Sequence, residues 1–167
     1  MTQRRLVLLR HAKAEPRGAL DDAARALATR GRDQATVIGQ SLKDGLGDFD
    51  LALVSTALRT RETFRLLAQQ VDVGAHEFLD DLYEADVENV VKAIRGVDPR
   101  AGHVLVVGHE PTISATALHL HGGRDQLGSQ VALGVPTATA CILEVQAPWA
   151  ELDRGGATMT QVLRAGV

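Results

Sequence analysis

Leu6-Val7-Leu8-Leu9 is an uninterrupted apolar run that ends abruptly in Arg10-His11. It is too short for an ordinary helix and lacks polar alternation, which predicts a strand buried on both faces. Such strands belong to sheets covered by helices on each side, where ligands bind beyond the carboxyl ends of the strands. Arg10 and His11 are therefore predicted at the mouth of a site. Arg10 presents a planar fork of donors suited to phosphate or carboxylate. His11 titrates nearest neutrality and can serve as nucleophile or base. The competing reading is a solvated Arg-His pair at a strand end.

Two further apolar runs repeat the pattern. Leu51-Ala52-Leu53-Val54 leads into Ser55-Thr56-Ala57-Leu58-Arg59-Thr60, where a helix is predicted to begin, capped by Ser55 or Thr56, and to run to about Gln70. His103-Val104-Leu105-Val106-Val107 leads into Gly108-His109-Glu110-Pro111 and a helix over residues 112–120. Between these lie a loop from Ala12 and a helix over residues 23–27 capped by Asp21-Asp22. Gly31 interrupts that helix, and a second one is predicted over residues 32–43. A short strand over 75–78 and a helix over 87–94 follow, and residues 137–145 and 157–163 are predicted to pair as a terminal hairpin. The fold class is α/β: a three-layer sandwich, its mainly parallel sheet covered by helices on both faces.

At 167 residues the chain is expected to form one domain, spanning residues 1–167. Its formal charge of -3 argues against a nucleic-acid partner. No apolar run reaches the ~18 residues of a membrane span, and the first one is too short for a secretory signal. A single cysteine excludes an internal disulfide framework. A cytoplasmic protein without membrane partners is expected.

Strand ends distant in sequence converge at one edge of such a sheet. Arg10, His11, Arg59 and His109 would then form a cationic pocket with a nucleophile and oxyanion stabilisers, the requirements of phosphoryl transfer. In this reading His11 attacks phosphorus in line and becomes a transient phosphohistidine, while Arg10, Arg59 and His109 bind the equatorial oxygens. Lys13 is a candidate for added positive charge at the rim. Ser55 is a candidate for phosphate contact beside its capping role.

The same residues carry a family resemblance. Leu9-Arg10-His11-Ala12 resembles the Arg-His signature of the histidine phosphatase superfamily, whose fold is that of phosphoglycerate mutase. Ser55-x-Ala57-x-Arg59-Thr60-x-Glu62-Thr63 is similar to the segment that supplies a pocket arginine, and Val107-Gly108-His109-Glu110-Pro111 to the one that supplies the second histidine. Within the superfamily, Leu8-Leu9-Arg10-His11-Ala12-Lys13, Asp22-x-x-Arg25-x-Leu27-x-x-Arg30-Gly31 and Val135-Pro136-Thr137-Ala138 resemble the SixA-type phosphohistidine phosphatases. Ala26 departs from the proline expected there. The resemblance implies a metal-independent hydrolase that needs no cofactor and acts on a phosphohistidine protein. The alternatives are a small-molecule phosphomonoesterase, acting on a phosphorylated metabolite, and a non-catalytic phosphate-binding module. The last has no use for a nucleophile. A mutase would need insertions for which the chain is too short.

Phosphomonoesterases of this superfamily place a carboxylic acid to protonate an alcohol leaving group. In Asp80-Asp81-Leu82-Tyr83-Glu84-Ala85-Asp86 no residue falls clearly in that motif, and Glu84 is the one candidate acid, against a plain reading as a solvated turn residue. A phosphoimidazole needs less help, since its distal nitrogen can take a proton from solvent. The other singular residues read as structural. Asp48 and Asp50 precede their strand, Cys141 is a core residue and Trp149 packs near the hairpin. His119-x-His121 closes a helix without further metal ligands, and His76 and His103 show no partners. Glu110 is expected to orient His109 or the start of the helix.

Overall fold

The computed structural model describes residues 3–167. Its six-stranded sheet has the order β3-β2-β4-β1-β5-β6. The strands are β1 (Arg4–Arg10), β2 (Phe49–Ser55), β3 (Val73–Leu79), β4 (His103–Gly108), β5 (Thr139–Val145) and β6 (Ala157–Arg164). The first four run parallel, whereas β5 is antiparallel to both β1 and β6. The mainly parallel α/β sheet is thus the observed fold.

The unbroken run in β1 has a direct physical reason. Side chains alternate across a strand, so Leu6 and Leu8 enter one apolar core while Val7 and Leu9 enter another. The first core packs α3 (Val87–Arg95), α4 (Thr112–His121) and α5 (Gln126–Ala132) against the sheet through Val91, Ile94, Ile113, Leu120 and Val131. The second packs α1 (Thr29–Leu46) and α2 (Leu58–Leu67) through Ile38, Leu42, Phe64 and Leu67. Trp149, in a short 3-10 turn before β6, is fully buried and donates its Nε1–H to the Ala101 carbonyl at 2.7 Å.

The segment between β1 and α1 departs from expectation. Only Asp22–Ala24 is helical, as one 3-10 turn. Residues beyond it run extended beside the strand exit, with Glu15 N–H donating to Ala26 O and Ala28 N–H to Lys13 O. The Asp22 carboxylate is engaged by arginines rather than by a helix start. Gly31, expected to break a helix, sits inside α1 because the backbone of Lys13 presses against it: a Cβ there would stand 1.9 Å from the Lys13 carbonyl oxygen. At an exposed helical site, glycine to alanine is worth about 1 kcal/mol of stabilisation. Here Gly31→Ala is expected to destabilise instead, by about 2 kcal/mol or more, because backbone must move. A urea midpoint shifted downward would register it. The helix α5 is not legible in the sequence because its seven residues carry too short a periodic pattern, although Asp125 caps it by accepting from Gly128 N–H.

Candidate active site

Register places the functional groups. Arg10 pairs with Gly108 across β1 and β4, and Val54 pairs with Val107, so all three strands end at one level. The turn after β1 is pinned from several sides. His11 N–H donates to Gly108 O, Ala138 N–H to His11 O, and Ala12 N–H to Thr63 Oγ1 on α2. Ala138 closes the Val135-Pro136-Thr137-Ala138 segment. The backbone around His11 is held by β4, α2 and the loop before β5.

His11 is only 8% exposed, and its Nδ1 lies 2.7 Å from the Ala12 carbonyl oxygen. A carbonyl only accepts, so Nδ1 carries the proton and the Nε2 lone pair is free. His109 has the opposite tautomer. Its Nδ1 is 3.4 Å from Arg59 Nη2, which can only donate, and its Nε2 is 2.8 Å from Ser55 Oγ. The two imidazoles meet edge to face, centroids 5.3 Å apart. Burial lowers the His11 pKa to about 4, with Arg59 and Arg10 adding to the shift against the Ala12 hydrogen bond. Burial also lowers that of His109 to about 3, assisted by His11 and Arg59.

Both rings are therefore neutral at pH 7. Below their ordinary value of 6.5 the unfolded chain takes up protons that the folded chain refuses until about pH 4. Stability accordingly rises with pH across that window and levels off above it. Histidine C–H resonances of His11 and His109 are expected to keep their neutral positions down to about pH 4, whereas solvated histidines shift near 6.5. Titration of both near 6.5 would contradict the burial argument.

Arg10 donates Nη1–H to Val135 O at 2.8 Å. That carbonyl is positioned in turn by Glu110, whose carboxylate accepts from Val135 N–H, Ser114 N–H and Ser114 Oγ. Glu110 thus orients the start of α4 and the arginine's anchor, not His109. Arg59, 6% exposed, donates Nη1–H to Asp22 O and Nη2–H to Asp22 Oδ2. The Nε–H groups of Arg10 and Arg59 are buried without a partner among the described residues. Two buried guanidinium donors with nothing to bind beside a cleft mark the place for an anion.

The cleft, about 330 Å³, is lined by Arg10, His11, Lys13, Arg59 and His109, joined by Arg17, Asp22, Arg25, Glu110 and Thr137. Ser55 is fully buried beneath it, and reaches His109 rather than the open space. Glu84 is exposed and lies outside the cleft lining. Glu84 therefore brings no carboxylic acid to the site and stands as a solvated turn residue. The first turn of α2 has Ala57 at its cap and no capping side chain, so Ser55 and Thr56 do not play that part.

Asp22 and Tyr83 are the site residues that sequence reasoning missed. The Asp22 carboxylate accepts from Tyr83 Oη, Arg59 and Arg25. The Tyr83 hydroxyl, followed by the two arginines, holds it well below the usual carboxylate range. The Tyr83 ring also stands edge to face with His109, centroids 5.7 Å apart. Asp22 and Arg25 stand in the pattern that resembles the SixA type, yet their local sequence reads as a helix entry. Nothing local to Tyr83, the one tyrosine of the chain, signals its place.

The remaining singular residues lie elsewhere. Asp50 accepts from Gly102 and His103 N–H at the far end of the sheet, and the His103 ring donates to Asp48 O. Burial pushes the Cys141 thiol up to about 12. His76 packs against Phe64 and Phe78. His121, at the end of α4, pairs with Asp125 and accepts from Met159 N–H. Among the described residues no group of three or more His, Cys, Asp or Glu side chains is placed to hold a metal ion, and no helix is long and apolar enough to cross a membrane.

Residues 6–95 match the histidine phosphatase superfamily (branch 1). The chain belongs to this superfamily. Its fold is close to that of a protein from Nakamurella multipartitia assigned as phosphohistidine phosphatase SixA. The TM-score is 0.90 at 30% identity, over 100% of this chain and 99% of that one. A SixA assigned likewise from Agrobacterium tumefaciens gives a TM-score of 0.81 at 28% identity, covering 96% and 97%. The uncharacterized protein ML1117 of Mycobacterium leprae (strain TN) is 34% identical over 151 residues, 87% of this chain and 92% of the relative. This histidine phosphatase thus lies in the SixA-type branch, and hydrolysis of a phosphoryl group is the activity its membership supports.

Proposed function

We propose that this histidine phosphatase hydrolyses phosphohistidine in proteins, without a metal, through a phosphohistidine intermediate on His11. The observation that carries the reading is the hydrogen bond from His11 Nδ1 to Ala12 O, which aims a neutral, unprotonated Nε2 at a cleft with two unpartnered arginine donors. As Nε2 forms its bond to phosphorus, the substrate N–P bond breaks and the departing imidazole takes a proton from solvent. Arg10, Arg59 and His109 neutralise charge on the non-bridging oxygens. Ser55 holds the His109 ring, and Lys13 adds charge at the rim. Water then attacks the phosphorylated His11, releasing inorganic phosphate and restoring the neutral imidazole.

The choice of an N–P bond rests on the two carboxylates that line the cleft. Asp22 is held ionised by Tyr83, Arg59 and Arg25, and Glu110 is engaged by Ser114 and Val135. Neither is poised to protonate an alcohol leaving group, which a phosphate ester requires. The test compares phosphate release from a phosphohistidine protein and from p-nitrophenyl phosphate, both with EDTA. Faster release from the protein is expected. Faster ester hydrolysis would establish a small-molecule phosphatase and reopen the place of Glu84. Binding of phosphate with no release from either substrate would indicate a recognition module.

A further inference from the structure

A second groove of about 340 Å³ adjoins the catalytic cleft and shares Lys13 and Thr137 with it. Its charged side chains are Lys13, Arg30 and Arg164, with no carboxylate side chain among those lining it. They come from three elements: the β1 exit, the first turn of α1 and the end of β6. Gln34 ties the two hollows together, its Oε1 accepting from Lys13 N–H and Thr137 Oγ1.

The groove gathers donors onto an oxygen. Arg30 Nε and Nη2 and Gln34 Nε2 all point at Val167 O, at 3.3, 3.2 and 3.2 Å. The Lys13 ammonium and the Arg164 guanidinium have no hydrogen bond or ion pair among the described residues. Thr139 Oγ1, fully buried in the groove wall beside Arg164 in register, has no partner among them either. A phosphoryl group is already matched by Arg10, Arg59 and His109, and Arg30 is engaged by Val167 O, so the unanswered charge of this groove is that of Lys13 and Arg164. In a chain with formal charge -3, a cationic groove continuous with the cleft calls for an acidic partner.

We infer that this groove docks an acidic surface of the phosphorylated protein, its carboxylates seated between Lys13 and Arg164 while the phosphohistidine enters the adjoining cleft. The inference rests on the reading of the chain as a protein phosphohistidine phosphatase. Charge at an open rim acts mainly on the encounter rate and its salt dependence. The substrate protein is therefore captured before the phosphoryl group is aligned.

The experiment uses the full chain, wild type and the variants Arg164→Glu and Arg164→Gln. Substrates are a phosphohistidine protein with acidic residues around its histidine and free phosphoramidate, which fills only the catalytic cleft. For the protein, kcat/KM is expected to fall about tenfold at low salt, with a flatter dependence on ionic strength. Phosphoramidate hydrolysis reports the cleft alone and is expected to change less than about twofold, which also shows that the variants are folded. Equal losses on both substrates, or none on the protein in Arg164→Glu, would overturn the docking groove. Wild type that releases phosphate from neither substrate would instead sink the functional reading on which it rests.

Discussion

His11→Ala is expected to reduce phosphate release by at least about 10⁴-fold while leaving the fold intact, because it deletes the atom that would bond to phosphorus. Neighbouring groups are poorly placed to substitute. His109 points its Nδ1 at Arg59 and its Nε2 at Ser55, so no free lone pair faces the space vacated by His11. The lost ring is 8% exposed and packs edge to face on His109, so a cavity remains. That cost is partly offset near pH 5, where the wild-type chain keeps His11 neutral against its tendency to protonate. His11→Ala should accordingly show a shallower loss of stability between pH 6.5 and about 4 than the wild type. Steady-state release, detection of the phosphoenzyme after an alkaline quench and denaturation at two pH values separate the chemical from the structural effect. Retained turnover in His11→Ala would remove the proposed mechanism.

Arg59→Ala is expected to lower kcat by about 10²- to 10³-fold, the range for removing a preorganised donor from a transition-state oxyanion. KM should change less than kcat, since charge on the transferring oxygens is best matched in the transition state. Arg59→Lys tests geometry apart from charge. The three donors of an ammonium radiate from a single nitrogen, so it cannot reproduce the planar fork that holds Asp22 O and Oδ2 through Nη1 and Nη2 and leaves Nε unpartnered. Arg59→Lys is therefore expected to recover less than a tenth of the lost rate, its barrier staying about 1.4 kcal/mol or more above that of the wild type. Asp22, 28% exposed at its side chain, keeps Arg25 and Tyr83 as partners in both variants, so the expected loss of stability is small. A full rescue by lysine would show that charge alone matters and that the Asp22 scaffold is dispensable.

The sheet was legible because its strands announce themselves locally. Leu6–Leu9 is apolar without alternation for the reason the structure gives, two cores on two faces, and the same holds for Val104–Val107. The helix expected over residues 23–27 and the break expected at Gly31 are absent because local propensity there is overruled by distant groups. Asp22 answers to Arg59 and Tyr83, Leu27 N–H is taken by Glu62, and Gly31 answers to Lys13 rather than to its own helix. Among residues 80–86 the candidate acid Glu84 is exposed, while Tyr83 beside it reaches the site.

By itself, the order of residues determined the α/β class, the three strand ends and the presence there of Arg10, His11, Arg59 and His109, since each depends on patterns a few residues long. It also determined the family, through motifs of the same reach. Only the tertiary structure decided how those groups are used. The tautomers of the two histidines are set by a carbonyl, a hydroxyl and a guanidinium. Arg10 is aimed through Val135 and Glu110, a hundred residues or more away from it in the chain. Hydrogen bonds and desolvation act over a few ångströms of space, whatever the separation in sequence, and that is where the chemistry of this cleft is decided.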